Sequence, residues 1–311
     1  LNANIEGTAS LVKFAMEHLM DIPLPKEAGI SYGAGCSAFA CPDADSNDFL
    51  MGRNFDFNHR DSTGERVMIP VIAVHTAPKG GKKSVSFVDA LFVSYKSGFY
   101  TDGKSDLSLL MALPYLLLDG INEDGFAVSV LKLDGKPTKQ QDPEKKSIFT
   151  TVAMRMLLDR ASTVDQAIEM LNQYNMCMDN EEASYHFFMA DATGDYAIIE
   201  YTKNNPLDPE ENPTKMEVLK GDNVWRYVTN FYTSPSMADS PDGSNNSKHG
   251  KDRYDTLCCS MASSQYKLNS DGVMDLLSKV SQGPEVQLST GFTQWSEVFN
   301  LTKRTVKMSI L

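Results

Sequence analysis

SYGAGCSAFACPDADSNDFLMGRNFDF, residues 31–57, sets Cys36 directly behind Gly33-Ala34-Gly35. It then continues into Gly52-Arg53-Asn54-Phe55-Asp56-Phe57. Two short apolar runs, CSAFAC and FLMGRNFDF, flank the polar turn Pro42-Asp43-Ala44-Asp45 and read as a strand pair. A thiol is a weak nucleophile unless a base or a lowered pKa makes the thiolate. The usual base is histidine, and the chain offers His18, His59, His75, His186 and His249. Cys36-Ser37-Ala38-Phe39 does not match the C-G-[SA]-C-[WY] string of papain-type enzymes. A second solution needs no histidine. Cutting the peptide bond before Cys36 frees an α-amine, with a pKa of about 8, on the same residue as the sulfur. Attack of Cys36 on the Gly35 carbonyl needs a strained backbone, which glycine tolerates best. The same string also fits a small buried cysteine at the start of a strand.

Arg53 and Asp56 are three residues apart, so a regular strand sends them to opposite faces. For both to reach the thiol, a bulge or a strand end must intervene. The alternative is a structural ion pair.

Outward from this stretch, the pattern alternates in blocks. VMIPVIAVHT, SVSFVDALFVSY and LPYLLLDGINEDGFAVSVLKL read as strands, the last with a hairpin signal at Asn122-Glu123-Asp124-Gly125. SIFTTVAMRMLLDRA and VDQAIEMLNQY carry apolar residues at helical spacing, with Ser162-Thr163 as the cap between them. YHFFMAD, DYAIIEY, KMEVLKG and VWRYVTNF form a second strand block. Residues 233–252, rich in Pro, Ser, Gly and Asn, read as a long surface loop. RYDTLCCSMASS and DGVMDLLSKVSQ predict two more helices before the closing strands FTQWSEVFNL and TVKMSIL. Strands grouped in this way predict an α+β fold of antiparallel sheets with helices layered on them. A further helix is expected over residues 9–20, ended by Ile22-Pro23-Leu24-Pro25.

The chain has 311 residues and a net charge of −12, which argues against nucleic acid and anionic membrane surfaces as partners. No apolar run approaches the roughly 20 residues of a membrane span. The five cysteines, Cys36, Cys41, Cys177, Cys258 and Cys259, have neither the spacing of a disulfide framework nor that of a zinc site. No metal and no cofactor is expected. The first residue is Leu1 rather than Met, which slightly favours a removed export signal and an extracytoplasmic location.

Cys36 followed by Gly52-Arg53-Asn54-Phe55-Asp56-Phe57 resembles the choloylglycine hydrolase family, N-terminal-nucleophile hydrolases of linear amide C–N bonds. The family pattern is a cysteine opening the mature chain, then G-R-N-x-D-[FWY] on the next strand. The likeness extends along the chain. LLLDGINEDGFAVSVLKL resembles the family's strand–turn–strand, and HFFMADATGDYAIIEY a later strand pair. Thr229-Asn230 resembles its T-N, Lys251-Asp252-Arg253-Tyr254 its S-x-R-F, and TQWSEVFNLTKRTVKMSI its closing strands. The resemblance implies a four-layer αββα sandwich. It implies Cys36 as nucleophile with its freed amine as base, Asp56 orienting that amine, Asn230 donating to the oxyanion, Arg253 holding the charge network, and Arg53 as a further catalytic residue. Lys132 stands where relatives carry a polar Asn or Tyr beside the nucleophile, which implies an anionic acyl product or leaving group. Residues 1–35 are expected to be a propeptide cut at Gly35–Cys36, and residues 36–311 a single catalytic domain. The expected partner is a small acyl amide, such as an N-acyl amino acid or conjugated bile salt, and the oligomeric state is left open. Two other readings compete: a Cys–His peptidase using His186 or His249, and a catalytically silent binding module of the same fold.

Overall fold

The computed structural model describes residues 34–59, 66, 71–90, 112–178, 183–223, 226–241, 249–283 and 291–310. The expected helix over residues 9–20, and parts of the runs at 67–70 and 91–95, lie outside them. The opening stretch forms β1 (Ala34–Pro42) and β2 (Phe49–Phe57), paired without a break from Ala34↔Phe57 to Pro42↔Phe49. Asp43 closes the turn between them, its Oδ1 accepting from the Asp45 N–H at 3.0 Å and its Oδ2 from the Ser46 hydroxyl at 2.9 Å. This is the local bonding that makes Asp a turn residue.

The chain continues through β3 (Val71–Thr76), β4 (Ser84–Asp89), β5 (Asp119–Asn122), β6 (Ala127–Asp134) and β7 (Lys146–Ile148). Helices α1 (Thr150–Arg160) and α2 (Val164–Leu171) follow. Next come β8 (Tyr174–Met176), β9 (Ala183–Ala190), β10 (Tyr196–Thr202), β11 (Lys215–Lys220) and β12 (Tyr227–Val228). Helices α3 (Lys251–Ser263) and α4 (Ser270–Lys279) precede β13 (Phe292–Asn300) and β14 (Thr305–Ile310). Of the predicted caps, Thr163 accepts from the Gln166 N–H at the start of α2, as its side chain type requires. None of the described helices is long and apolar enough to cross a membrane.

One sheet has the order β12-β1-β2-β13-β14 and the other β11-β10-β9-β6-β5-β4-β3, with antiparallel pairing throughout. The larger apolar cluster fills the space between the sheets and continues under α1 and α2. A second cluster packs Leu257, Met261, Val273 and Leu277 of α3 and α4 against Phe39, Leu50 and Val298 of the five-stranded sheet. The layers are therefore helix, sheet, sheet, helix, the expected αββα sandwich. β2 is covered on both faces, so FLMGRNFDF shows little of the alternation that marks a half-exposed strand.

Two local expectations are corrected. VWRYVTNF was predicted as a strand, yet pairing stops after Tyr227–Val228, because the chain turns away from β1 at Thr229 to bring a side chain in. The short parallel pair β7–β8 lies in segments too brief and too polar to show a strand period. Residues 233–252, expected as a surface loop, contain a 3-10 turn at Pro235–Met237, and Met237 is buried against Leu133 and Tyr232.

Asn122, in the predicted hairpin, ties that turn to α1. Its Nδ2 donates to the carbonyls of Leu158 (3.1 Å) and Ala161 (2.7 Å), and its Oδ1 accepts from the N–H groups of Asp124 and Phe126. The carbonyls at a helix C-terminus have no partner within the helix. Asn122→Ala strands those buried groups and is expected to destabilise the fold by about 3 kcal/mol. Urea titration should show a lower midpoint with an unchanged slope.

Candidate active site

Strand alternation sorts the opening motif onto two faces. Cys36 pairs with Phe55 and Ala38 with Arg53, so the thiol and Arg53 share the inner face between the sheets. Gly35 pairs with Asp56 and Ser37 with Asn54, which face α4, where the Asn54 amide donates to the Leu277 carbonyl at 2.8 Å. β2 itself has no bulge. The irregularity lies on its other neighbour, between Thr293 and Trp295 of β13. Arg53 shares the sulfur's face and its positive charge acts on the thiol, while Asp56 pairs with Gly35, the residue before Cys36. The Asp56 carboxylate stays on the opposite face, against Gly35. The bulge that the spacing demanded is thus unnecessary, because the two residues approach Cys36 from different sides.

Asp56 is held there by two residues that sequence reasoning missed. Thr293 Oγ1 donates to its Oδ1 at 2.6 Å, and Gln282 Nε2 to its Oδ2 at 2.7 Å. Thr293 also binds Gln282 through backbone and hydroxyl, which fixes the end of α4 on the first residues of β13. A Cβ at Gly35 would lie 2.3 Å from Gln282 Nε2 and 3.0 Å from Asp56 Oδ2, so a larger residue before the cysteine would have to push the Gln282 amide off Asp56. Neither Gln282 nor Thr293 stands in a string that marks it in the sequence.

The Cys36 backbone is gripped from the other edge. Its N–H donates to Asn230 Oδ1 at 2.8 Å, while Asn230 Nδ2 donates to the Lys132 carbonyl at 2.9 Å. Arg253 completes a ring. Its Nη2 donates to Asn230 Oδ1 (2.8 Å), its Nη1 to the Cys36 carbonyl and the Ser37 hydroxyl (2.9 Å), and Asp56 Oδ2 lies 3.5 Å away. Arg253 folds back beneath the start of α3 because Gly250 sits at φ +81°, and a Cβ there would come within 2.5 Å of Nη2. The expectation gave Asn230 as an oxyanion donor. Here its oxygen accepts from the Cys36 N–H and Arg253, and one of its two amide hydrogens goes to the Lys132 carbonyl.

The segment carrying Asn230 is itself clamped. Buried Glu200 accepts from the N–H and hydroxyl groups of Thr233 and Ser234 and lies 3.1 Å from His186 Nδ1. Burial opposes its charge, but the bonds from His186, Ser234 and Thr233 hold its carboxyl below the usual range. His186 Nε2 lies 2.8 Å from the Thr229 carbonyl. His249 Nδ1 lies 3.5 Å from Asp134. Arg53 and Asp56 are the charged groups that act most on the Cys36 thiol, and both histidine rings are engaged elsewhere.

Lys132 enters the site through its carbonyl. Leu131 lies directly opposite His186, whose ring faces the Thr229 segment, so alternation turns the Lys132 side chain to the other face. There its Nζ lies 3.7 Å from Asp134 Oδ1.

Behind the thiol, Arg53 Nε donates to Asp119 Oδ2 at 3.0 Å and Nη2 to the Val130 carbonyl at 3.1 Å. Burial raises the Cys36 thiol above its ordinary pKa, Arg53 offsets only part of the rise, and the Asp56 charge adds to it. Burial also works against the charge of Arg53, yet Cys36, Asp119 and Glu297 hold it firmly protonated. Phe55, stacked between Phe57 (5.6 Å) and Trp295 (4.2 Å), gives the thiol's face an aromatic floor.

The fold has counterparts among solved structures. The chain superposes on penicillin V acylase from Agrobacterium tumefaciens with a TM-score of 0.57 at 16% identity, over 88% of this chain and 83% of that one. A mutant of conjugated bile acid hydrolase from Clostridium perfringens gives 0.58 at 14% identity, over 88% and 89%. In sequence, 183 residues are 26% identical to penicillin V acylase from Pectobacterium atrosepticum, covering 56% of this chain. The chain thus matches about half (46%) of that relative's length. The family model of the linear amide C–N hydrolases, choloylglycine hydrolase family, matches residues 36–268, starting at the cysteine that Arg53, Asp56, Asn230 and Arg253 surround. By that match, which spans well over half of the sequence, this chain belongs to the choloylglycine hydrolase family.

Proposed function

We propose that this protein is a cysteine-nucleophile amidase, made active by its own cleavage at Gly35–Cys36. One observation carries the reading: the backbone N–H of Cys36 is held by the Asn230 side chain at 2.8 Å, inside a ring closed by Arg253. A strand residue ordinarily gives that N–H to the neighbouring strand. Here β12 ends at Val228, opposite Ala38, and an amide oxygen takes the place of its next carbonyl. Any buried strand N–H needs an acceptor, but this one is a side-chain oxygen that Arg253 also holds in place. It suits a nitrogen that must become an amine and keep its direction.

In the cleavage step the Cys36 sulfur attacks the Gly35 carbonyl carbon. The Gly35–Cys36 C–N bond breaks, the nitrogen takes the thiol proton, and a thioester joins Gly35 to the sulfur. Water then hydrolyses the thioester, releasing residues 1–35 as the propeptide and leaving residues 36–311 as the catalytic domain. In turnover the α-amine takes the thiol proton while the sulfur attacks the substrate amide carbonyl, and then gives it to the departing amine. A second water hydrolyses the acyl thioester. Asp56 and Asn230 orient the amine, and Arg53 stabilises negative charge on the sulfur. The aromatic floor of Phe55, Phe57 and Trp295 fits an apolar acyl group, as in an N-acyl amino acid or the amides named for the relatives.

The test joins N-terminal sequencing and intact mass of purified protein to an amidase panel. The panel holds conjugated bile salts, phenoxyacetyl amides, N-acyl amino acids and N-acyl homoserine lactones. A chain starting at Cys36 that hydrolyses at least one amide class is expected. Amide hydrolysis by protein that remains uncut would overturn the self-cleavage step.

A further inference from the structure

Arg53 is enclosed by two carboxyl groups, and the notional ion pair with Asp56 accounts for neither. Asp119 of β5 takes its Nε directly, at 3.0 Å. Glu297 of β13 lies opposite Arg53 in register and so shares the inner face. Arg53, Asp119 and Glu297 are all fully buried. The two carboxyls face each other, with Trp295 beside both. Yet Asp119 Oδ1 and both oxygens of Glu297 lack a donor within ordinary hydrogen-bond reach among the described residues, and the Trp295 indole N–H beside them, also unpaired at that reach, favours the charged form of each only weakly against burial.

Two ionised carboxylates and one guanidinium would leave this dry layer with a net negative charge and two facing anions. A single proton removes both difficulties. It converts the repulsion into an O–H···O hydrogen bond and leaves one anion for one cation. Glu297 is the carboxyl that keeps the proton, since Asp119 is bonded to Arg53 and is better held as the anion. Burial and then the Asp119 charge raise the Glu297 carboxyl well above its ordinary range. Burial also lifts Asp119, but Arg53 restrains it to about 6.

We infer that Glu297 is a positioning residue: it carries a proton that it donates to Asp119, so that Arg53 faces the Cys36 sulfur with one counter-charge rather than two. This rests on the reading of Cys36 as nucleophile. With Glu297 ionised, its field would cancel that of Arg53 at the sulfur, and the thiolate would form only at higher pH. The charged groups that face Glu297 are Arg53 from β2 and Asp119 from β5. Ser129 of β6, opposite Asp119, and Trp295 are uncharged.

The experiment follows alkylation of Cys36 by iodoacetamide against pH in the cleaved protein, with the label located by mass. In Glu297→Gln a neutral amide replaces a neutral acid, so the midpoint of the profile is expected to coincide with that of the wild type. In the double variant D119N/E297Q the remaining anion is lost, and the midpoint should fall by about one unit. If Glu297→Gln alone lowers the midpoint by that much, Glu297 was ionised and the inference is overturned. A measurement on unaltered protein guards against misfolding of the variants. The infrared carbonyl band of a protonated, buried carboxyl should be present near neutral pH, and its absence also overturns the inference. Wild-type protein whose Cys36 takes no label defeats the nucleophile reading, and with it any part for Glu297 in the reaction, even where the band is present.

Discussion

Cys36→Ala protein is expected to remain a single uncut chain and to lose amide hydrolysis by on the order of 10⁴-fold or more, as removal of a nucleophile does in other acyl-transfer enzymes. The substitution deletes one small, buried sulfur, and the backbone bonds to Asn230 and Arg253 do not depend on it. The variant should therefore fold, and its thermal midpoint should fall by only a few degrees. That separation makes the measurement decisive. Intact mass reports cleavage, a melt reports folding, and hydrolysis of the best substrate of the panel reports turnover. Cys36→Ser is the companion. A hydroxyl is a poorer nucleophile than a thiolate, so slow cleavage over hours and a deep loss of turnover are expected. An Ala variant that is still cut after Gly35 would remove the sulfur from the mechanism.

The sandwich was legible because the strands are grouped and the apolar periods are long. α1 and α2 are helical by spacing and by the Thr163 cap, and β5–β6 by the Asn-Glu-Asp-Gly turn. Local signals failed where tertiary bonding decides the path. Val228 ends its strand because Asn230 is required at Cys36, and no propensity of Thr229 or Phe231 announces that. In the site, Arg53, Asp56, Asn230 and Arg253 could be named from short strings, and the structure brings all four round Cys36. Their directions could not. Only the register shows Arg53 entering from the inner face and the Asp56 carboxylate from the outer one. Lys132 was named for its side chain and takes part by its carbonyl, a group every residue has. Gln282 and Thr293 are ordinary polar residues whose importance comes from contact across the fold. Asp119 and Glu297 did leave a signal. Each is a lone acid inside an apolar strand, LLLDGIN and FTQWSEVFNL, and such a residue seldom goes into a core without a partner.

Asn230→Ala tests the grip on the nitrogen. The change removes the acceptor for the Cys36 N–H and for Arg253 Nη2, and the donor to the Lys132 carbonyl. Turnover of cleaved protein is expected to fall about 100- to 1,000-fold, the usual cost of losing one preorganised polar group, with the loss in kcat rather than KM. Cleavage should slow by a similar factor, since the same oxygen holds the nitrogen before and after the bond breaks. Asn230→Asp separates orientation from charge. It keeps an oxygen facing the nitrogen but sets a carboxylate beside the freed amine. An adjacent anion favours the protonated amine and raises its pKa. Only the unprotonated amine can take the thiol proton, so the acid limb of the activity profile must move to higher pH, with part of the lost rate recovered on the alkaline side. A simple loss of packing would lower the rate equally at all pH values. An Asp variant whose limb stays where the wild type has it would mean that the base is not the amine of Cys36, and the carrier of the proton would have to be sought elsewhere in the site.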